Sequence, residues 1–384
     1  MKILFISLHQ CIRTYKEAVP LIERGHQMYS VSSVIGTGFN YYENNSVYWY
    51  GTDHRKPQTK EHFKKIVKQA IENTKPDIIH IHNEPDWICT ETIPLAKQAN
   101  IPIVWDLHDV ESARWMTIPL EEQMSIKEVD GIVVPSIGCK KWIEKYHWYL
   151  KTPIEVFYSC FFDGNKITKI KDVHPRPIND VGHRVGNSIV YEGGLWNPEK
   201  KANNGKMNFR DYSKVIDSLS FAGFQCYVYP AGDEENGDLS IYRKFGAIVC
   251  DTVPSLMITQ ELQHYEFGLT GFPITGNPLC DMAMPNKLFD YMYALTIPVV
   301  INCTEAGEFV EKNGCGIWIK DKALLENPEC LAPLLKLSPE KKNEIRCNIR
   351  TTREKYYAEN QIDVLINLYE RILNERKKIT TTAI

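Results

Sequence analysis

Lys75-Pro76-Asp77-Ile78-Ile79-His80-Ile81-His82 is the stretch on which the architecture turns. Pro76 disfavours a helical residue before it, and the short apolar run that follows has the length and content of a buried strand over Asp77–His82. Its period of two sets His80 and His82 on one face. Working outward, Ile101–Trp105 follows a helical stretch and Gly131–Val134 follows another. Lys2–Ser7 is a further buried strand. Arg13–Gly25 reads as a helix with apolar Ala18, Val19, Leu21 and Ile22, closed by Gly25, and Pro20 is expected to kink or shorten it. Strands separated by helices imply parallel βαβ units in a doubly wound sheet, which assigns residues 1–160 to a first Rossmann-like domain.

The rhythm breaks at Phe161–Asn187, which holds Pro175, Pro177, Gly164, Gly182 and Gly186 and reads as an interdomain linker. A second series follows over residues 188–360. Strands are expected at Ser188–Glu192, Gln225–Tyr229, Gly246–Val249, Glu266–Leu269, Ile297–Ile301 and Gly316–Ile319, with a helix at Phe209–Ala222. Ser338-Pro339-Glu340 is a strong helix start, since serine caps and proline suits the first turn. Over residues 361–384, Ile362, Leu365, Ile366, Tyr369, Ile372 and Leu373 form an apolar stripe at helical spacing, with Thr380–Ile384 expected to fray.

The 384 residues carry 45 basic and 48 acidic side chains, a net charge of -3, which gives no general attraction to nucleic acid or anionic lipid. The 11 cysteines are scattered, none at C-x-x-C spacing, so they do not read as a disulfide framework. No apolar run approaches the roughly 20 residues of a membrane helix, and the N-terminal one is too short for a signal peptide. These features fit a cytoplasmic globular protein. Lys140-Lys141…Lys145 reads as a solvated helix face, with peripheral contact at the inner face of a membrane as the other reading.

Ligands of Rossmann-like sheets bind at the carboxyl ends of the strands, so residues just after strands carry the chemistry. Tyr191-Glu192-Gly193-Gly194-Leu195 puts two glycines there, where backbone amides can approach a phosphate, with Lys200 and Lys201 following; a tight turn is the plainer reading. No G-x-G-x-x-G or G-x-x-x-x-G-K-[ST] element is present at all, which counts against NAD and P-loop enzymes. In Met284-Pro285-Asn286-Lys287-Leu288-Phe289-Asp290-Tyr291, proline and asparagine open an amphipathic helix with free N-terminal amides. A lysine in a first helical turn opposes the dipole, a penalty that a bound diphosphate would reverse. Asp290, one turn on, suits ribose hydroxyls, although both residues could be ordinary surface charges. Asp106-Leu107-His108-Asp109 follows a strand and could position a sugar or move a proton, or simply satisfy the loop. His80 and His82 hint at metal, but no third ligand lies near in sequence, so a buried structural pair is the favoured reading. Tyr41-Tyr42 and Tyr48-Trp49-Tyr50 read as strand packing, with stacking on a sugar or binding of the acceptor as the other reading for Trp49 and Trp115.

Taken in order, these segments resemble the GT-B glycosyltransferases, especially the large group of bacterial mannosyl-, glucosyl- and N-acetylglucosaminyltransferases. The resemblance is carried by Arg13–Ala18 with Glu23-Arg24-Gly25-His26, by Lys75–His82, by Ile101–Val104 running into His108-Asp109, by Tyr191–Leu195, by Pro285–Tyr291, by Pro298-Val299-Val300 and by Asn348–Leu373. It implies two Rossmann-like domains facing across a cleft, the second binding a UDP- or GDP-sugar and the first a glycan or lipid-linked acceptor, with the last helix crossing back to the first domain. It places Lys287 near the diphosphate, Gly193 and Gly194 near the donor and His108 near the transferred sugar. Asp109 is the best placed base should the reaction invert, although the group mostly retains configuration. It also implies no metal and no cofactor beyond the nucleotide sugar. The acidic cluster Asp233-Glu234-Glu235, beside Gly232 and Gly237, reads as a surface turn.

The departures concern the donor site. Relatives often carry two glutamates with seven residues between them. Asp290 takes the second position, Met282 stands at the first, and Asp281 is one residue off. Thr296 stands where a glycine is common. These differences keep two other readings open: a UDP-sugar 2-epimerase type enzyme and a catalytically inactive scaffold subunit.

Overall fold

The computed structural model describes residues 1–8, 11–33, 47–49, 57–83, 85–159, 184–195, 210–231, 239–254, 257–273, 276–320 and 327–382. Lys200, Lys201, Asp233–Glu235, Tyr41, Tyr42 and most of the expected linker lie outside these residues, as does the side chain of Trp49. The chain forms two compact units, Met1–His174 with Ala358–Ile384, and Pro175–Tyr357.

In the first unit the described strands are β1 (Lys2–Ile6), β2 (Gln27–Ser32), β3 (Val47–Trp49), β4 (Ile78–His82), β5 (Ile103–Asp106), β6 (Gly131–Val134) and β7 (Ile154–Val156). They make one parallel sheet in the order β3-β2-β1-β4-β5-β6-β7. The apolar runs at β1, β4, β5 and β6 are almost wholly buried because helices cover both faces. In the second unit β8 (Val185–Gly193), β9 (Gln225–Pro230), β10 (Ile248–Val249), β11 (Tyr265–Gly271), β12 (Ile297–Ile301) and β13 (Ile317–Ile319) pair in parallel as β10-β9-β8-β11-β12-β13. Both sheets therefore reverse direction beside their first strand, between β1 and β4 and between β8 and β11. Such switch points open a crevice at the carboxyl ends of the strands.

Several expectations shift. The helix Ile12–Glu23 runs through Pro20 to its expected stop, where Gly25 takes φ +86° and the Gly25 and His26 amides bond the carbonyls of Ile22 and Leu21. β8 starts at Val185, inside the stretch read as linker, because the Val185 amide bonds the His264 carbonyl and extends pairing toward β11. Phe209–Ala222 yields a shorter helix, Ser213–Phe221. Ser338 caps the helix Pro339–Tyr356, its hydroxyl accepting from the Lys341 amide.

The final helix, Ala358–Thr382, packs within the first unit, against the helix Ile12–Glu23 and β7. Ile362, Leu365, Leu368, Tyr369 and Ile372 are its large buried apolar residues. The stripe is thus rotated from the expected one, with Leu368 inside and Ile366 and Leu373 half-buried. Gly131 on β6 leaves room for it, since a Cβ there would come within 2.8 Å of Ile372. Arg376 forks onto Asp130 at 3.0 and 3.1 Å and seals the far end. No helix among the described residues is long and apolar enough to cross a membrane.

Candidate functional site

The carboxyl end of β8 is built around two glycines and two cations. Gly193 adopts φ +114°, a region that suits glycine, and a Cβ there would lie 2.8 Å from the Lys287 Nζ. A Cβ at Gly194 would lie 2.7 Å from a guanidinium nitrogen of Arg210. The glycines therefore admit both positive side chains against the backbone. The loop is fixed from below: the Tyr191 hydroxyl donates to the Gly194 carbonyl at 2.7 Å, and its ring lies 4.5 Å from that of Tyr212. Across the switch point the Tyr291 hydroxyl accepts from the Glu192 amide at 3.2 Å and donates to the Leu269 carbonyl at 3.0 Å. Its ring occupies the place a side chain at Gly268 would need.

Lys287 enters from the first turn of the helix Asn286–Tyr293, whose N-cap is the extended Pro285 with no side-chain cap. Uncapped first-turn amides and a lysine point one way chemically, toward an anion. The other end of the helix is held by arginines. Arg184 donates to the carbonyls of Ala294 (3.2 Å) and Leu295 (3.0 Å), and Arg353 donates to that of Tyr293 (2.5 Å). Burial lowers the pKa of the Lys287 ammonium, and neighbouring Arg210 lowers it further, while Glu192 and Asp290 act in the opposite sense. Half-buried Lys287 thus lies near a second, exposed cation, a cost that an anion would relieve. Asp290 is buried, so its charge supports Lys287 from within. Asn286 is exposed and Pro285 half-buried. Asp281, in the short helix Pro278–Met282, has its carboxyl raised by burial.

Arg210 escaped the sequence reading, and a signal for it exists. It stands three residues before the helix Ser213–Phe221, which follows β8, and the first helix of a Rossmann unit opens at the ligand.

In the first unit His108 follows β5, one-fifth exposed, with its Nδ1 3.8 Å from Asp106 Oδ1. Asp109 is turned outward and pairs with Arg114 at 3.0 Å, and Asn83 bonds both its amide and its carbonyl. Its carboxylate is therefore engaged by a cation rather than held ready for a hydroxyl. Trp115 is exposed, and its indole NH donates to Glu111 at 2.5 Å. The expectation that His80 and His82 lack further ligand-type neighbours is overturned. Glu17, from the helix Ile12–Glu23, and Asp106, from β5, both close on them.

Comparison with known proteins supplies the frame for this geometry. Residues 15–160 match the family model of Glycosyltransferase Family 4. No curated protein matches the sequence. A glycosyltransferase from Rickettsia africae is similar in structure at 14% identity, with 97% of this chain and 98% of that chain covered and a TM-score of 0.69. HepE of Anabaena in complex with UDP-glucose is similar at 14% identity, with 98% and 100% covered and a TM-score of 0.64. Sucrose-phosphate synthase from Thermosynechococcus elongatus matches at 11% identity, with 100% and 99% covered and a TM-score of 0.64. The two sheets and the terminal helix returning to the first unit give this chain the two-domain GT-B fold of these solved structures, and residues 15–160 carry the family pattern.

Proposed function

We propose that the protein transfers a hexose or N-acetylhexosamine from a UDP- or GDP-sugar to a hydroxyl of a glycan or lipid-linked saccharide, with retention of configuration. The observation that carries this reading is the pair Lys287 and Arg210 brought against Gly193 and Gly194 at the β8–β11 switch point. In the transfer step the bond from the anomeric carbon to the diphosphate oxygen breaks and negative charge gathers on the leaving phosphate. Lys287, Arg210 and the first-turn amides after Pro285 stabilise that charge. Lys200 and Lys201 are assigned to the same anion. The acceptor oxygen bonds the anomeric carbon from the face the phosphate leaves, and its proton passes to the departing phosphate oxygen. Retention is favoured because Asp109, the base an inverting route would need, is paired with Arg114. His108 is assigned to the transferred sugar, held by the first unit with the acceptor. The transfer step needs no metal and no cofactor.

The test is a screen of UDP- and GDP-sugars for donor hydrolysis and for transfer to saccharide acceptors, each in excess EDTA. Glycosidic product formed in EDTA is the expected result. Release of a free epimerised sugar, or activity that disappears with EDTA and returns with manganese, contradicts the reading.

Lys287 also sets a pH dependence. Its pKa is lowered in the free protein, chiefly by burial, and a bound diphosphate favours the ammonium form. UDP affinity therefore falls as pH rises through that lowered pKa, below the ordinary lysine value of about 10.4. Dissociation constants measured between about pH 7 and pH 10 should show this decline. A Lys287→Arg variant, charged throughout, should not show it, and an identical decline in both would contradict the assignment.

A further inference from the structure

We propose that Glu17, His80, His82 and Asp106 form a closed site for a divalent transition-metal ion of the zinc class inside the first unit, independent of the transfer reaction. The backbone brings the four together from three elements. The period of two on β4 sets both histidines on one face, and the β4–β5 register places His82 beside Asp106. Glu17 reaches in from the helix Ile12–Glu23, and Phe5 of β1 packs against both imidazoles, at centroid distances of 4.9 and 4.8 Å. His80 Nε2 lies 3.7 Å from Glu17 Oε2 and 3.9 Å from Asp106 Oδ2. His82 lies 3.8 Å from Glu17 Oε2 through Nε2 and 3.5 Å from Asp106 Oδ2 through Nδ1. Four donors arranged tetrahedrally at about 2.0–2.1 Å from zinc stand roughly 3.3–3.4 Å apart; the four ligand atoms here lie within 4.8 Å of one another, so the widest pair closes by at most about 1.4 Å as one His82 nitrogen turns to the ion.

The second observation is the number of unused lone pairs. All four side chains are essentially without solvent exposure. Yet both Glu17 oxygens, His80 Nε2, both nitrogens of His82 and Asp106 Oδ1 have no hydrogen-bond partner. Buried polar atoms are rarely left so, and here they converge on one volume. Arg13 bonds Asp106 Oδ2 at 2.7 Å and approaches Glu17 at 3.3 Å, so a single guanidinium faces two buried carboxyl groups. His80 Nδ1 meets the Tyr369 hydroxyl at 2.5 Å; as a donor there, it leaves Nε2 as a lone pair facing the cluster, the outer-shell arrangement of metal-bound histidine. The two rings stack at 7° and 4.7 Å, so one must tilt for both to converge. His82, with neither nitrogen hydrogen-bonded, is the one that turns. With every ligand supplied by protein and no open position, the ion has a structural role and exchanges slowly with chelators.

The experiment is metal analysis of the full, untagged chain, followed by denaturation with chelator, refolding and titration with zinc or cobalt. About one zinc per chain is expected, with cobalt giving the visible bands of a tetrahedral nitrogen and oxygen site and zinc raising the unfolding temperature. The double variant Glu17→Gln, His82→Gln should lose the stoichiometric ion. Should that variant not fold, X-ray absorption on wild-type protein decides, with an expected first shell of four nitrogen and oxygen atoms near 2.0 Å. A folded double variant that keeps the metal, or a wild type that binds neither ion and unfolds alike with zinc and with chelator, overturns the proposal. The latter outcome would mean that a proton on Glu17 settles the cluster.

Discussion

Deletion of residues 362–384 is expected to abolish cooperative folding of the first unit while leaving the second able to bind nucleotide. The removed segment carries Ile362, Leu365, Leu368, Tyr369 and Ile372, all buried in the first unit. At roughly 1.5–3 kcal/mol for each large apolar side chain, the loss is on the order of 7–15 kcal/mol. That matches the whole stability of an ordinary domain, about 5–15 kcal/mol. The Arg376–Asp130 fork and the Tyr369–His80 contact go with it. The second unit closes with Tyr357, so β8, Lys287 and Arg210 keep their surroundings. Calorimetry should show one of two unfolding transitions disappear, UDP affinity stay within a few-fold of normal and transfer vanish. Loss of UDP binding alongside folding would mean that the helix supports the second unit instead. A milder probe, Leu365→Ala, should cost about 2–5 kcal/mol in the first unit alone.

The alternation of short apolar strands with helices made the fold legible, because strands buried on both faces carry continuous apolar runs. Gly131–Val134 and Ile297–Ile301 stand as read. Elements set by pairing or packing were read less well. Val185 joins β8 through a bond to the His264 carbonyl, and nothing local at Val185 announces it. The rotation of the terminal stripe toward Leu368 depends on the surface it covers, including the gap at Gly131. Pro20 stays within its helix, giving up one amide bond while its own carbonyl still accepts from the Arg24 amide.

The site divides in the same way. Gly193, Gly194 and Lys287 announce themselves by position, just after a strand or at a helix start. Arg210, 16 residues beyond Gly194, and Glu17, 63 residues before His80, reach their partners only through the fold. Asp109 looked like a base in sequence because Arg114, five residues later, gave no sign of turning back to it.

The account rests on a diphosphate at Lys287, and calorimetry of the Lys287→Ala variant tests this most directly. A charge-assisted contact of about 1.5–3 kcal/mol corresponds to a loss of roughly 10- to 150-fold in UDP or GDP affinity. Because negative charge on the phosphate grows as the glycosidic bond breaks, the loss in kcat should be larger, about 10²–10³-fold. Uridine or guanosine, lacking the diphosphate, should bind wild type and variant alike. Equal losses for the diphosphate and for its nucleoside would contradict the account.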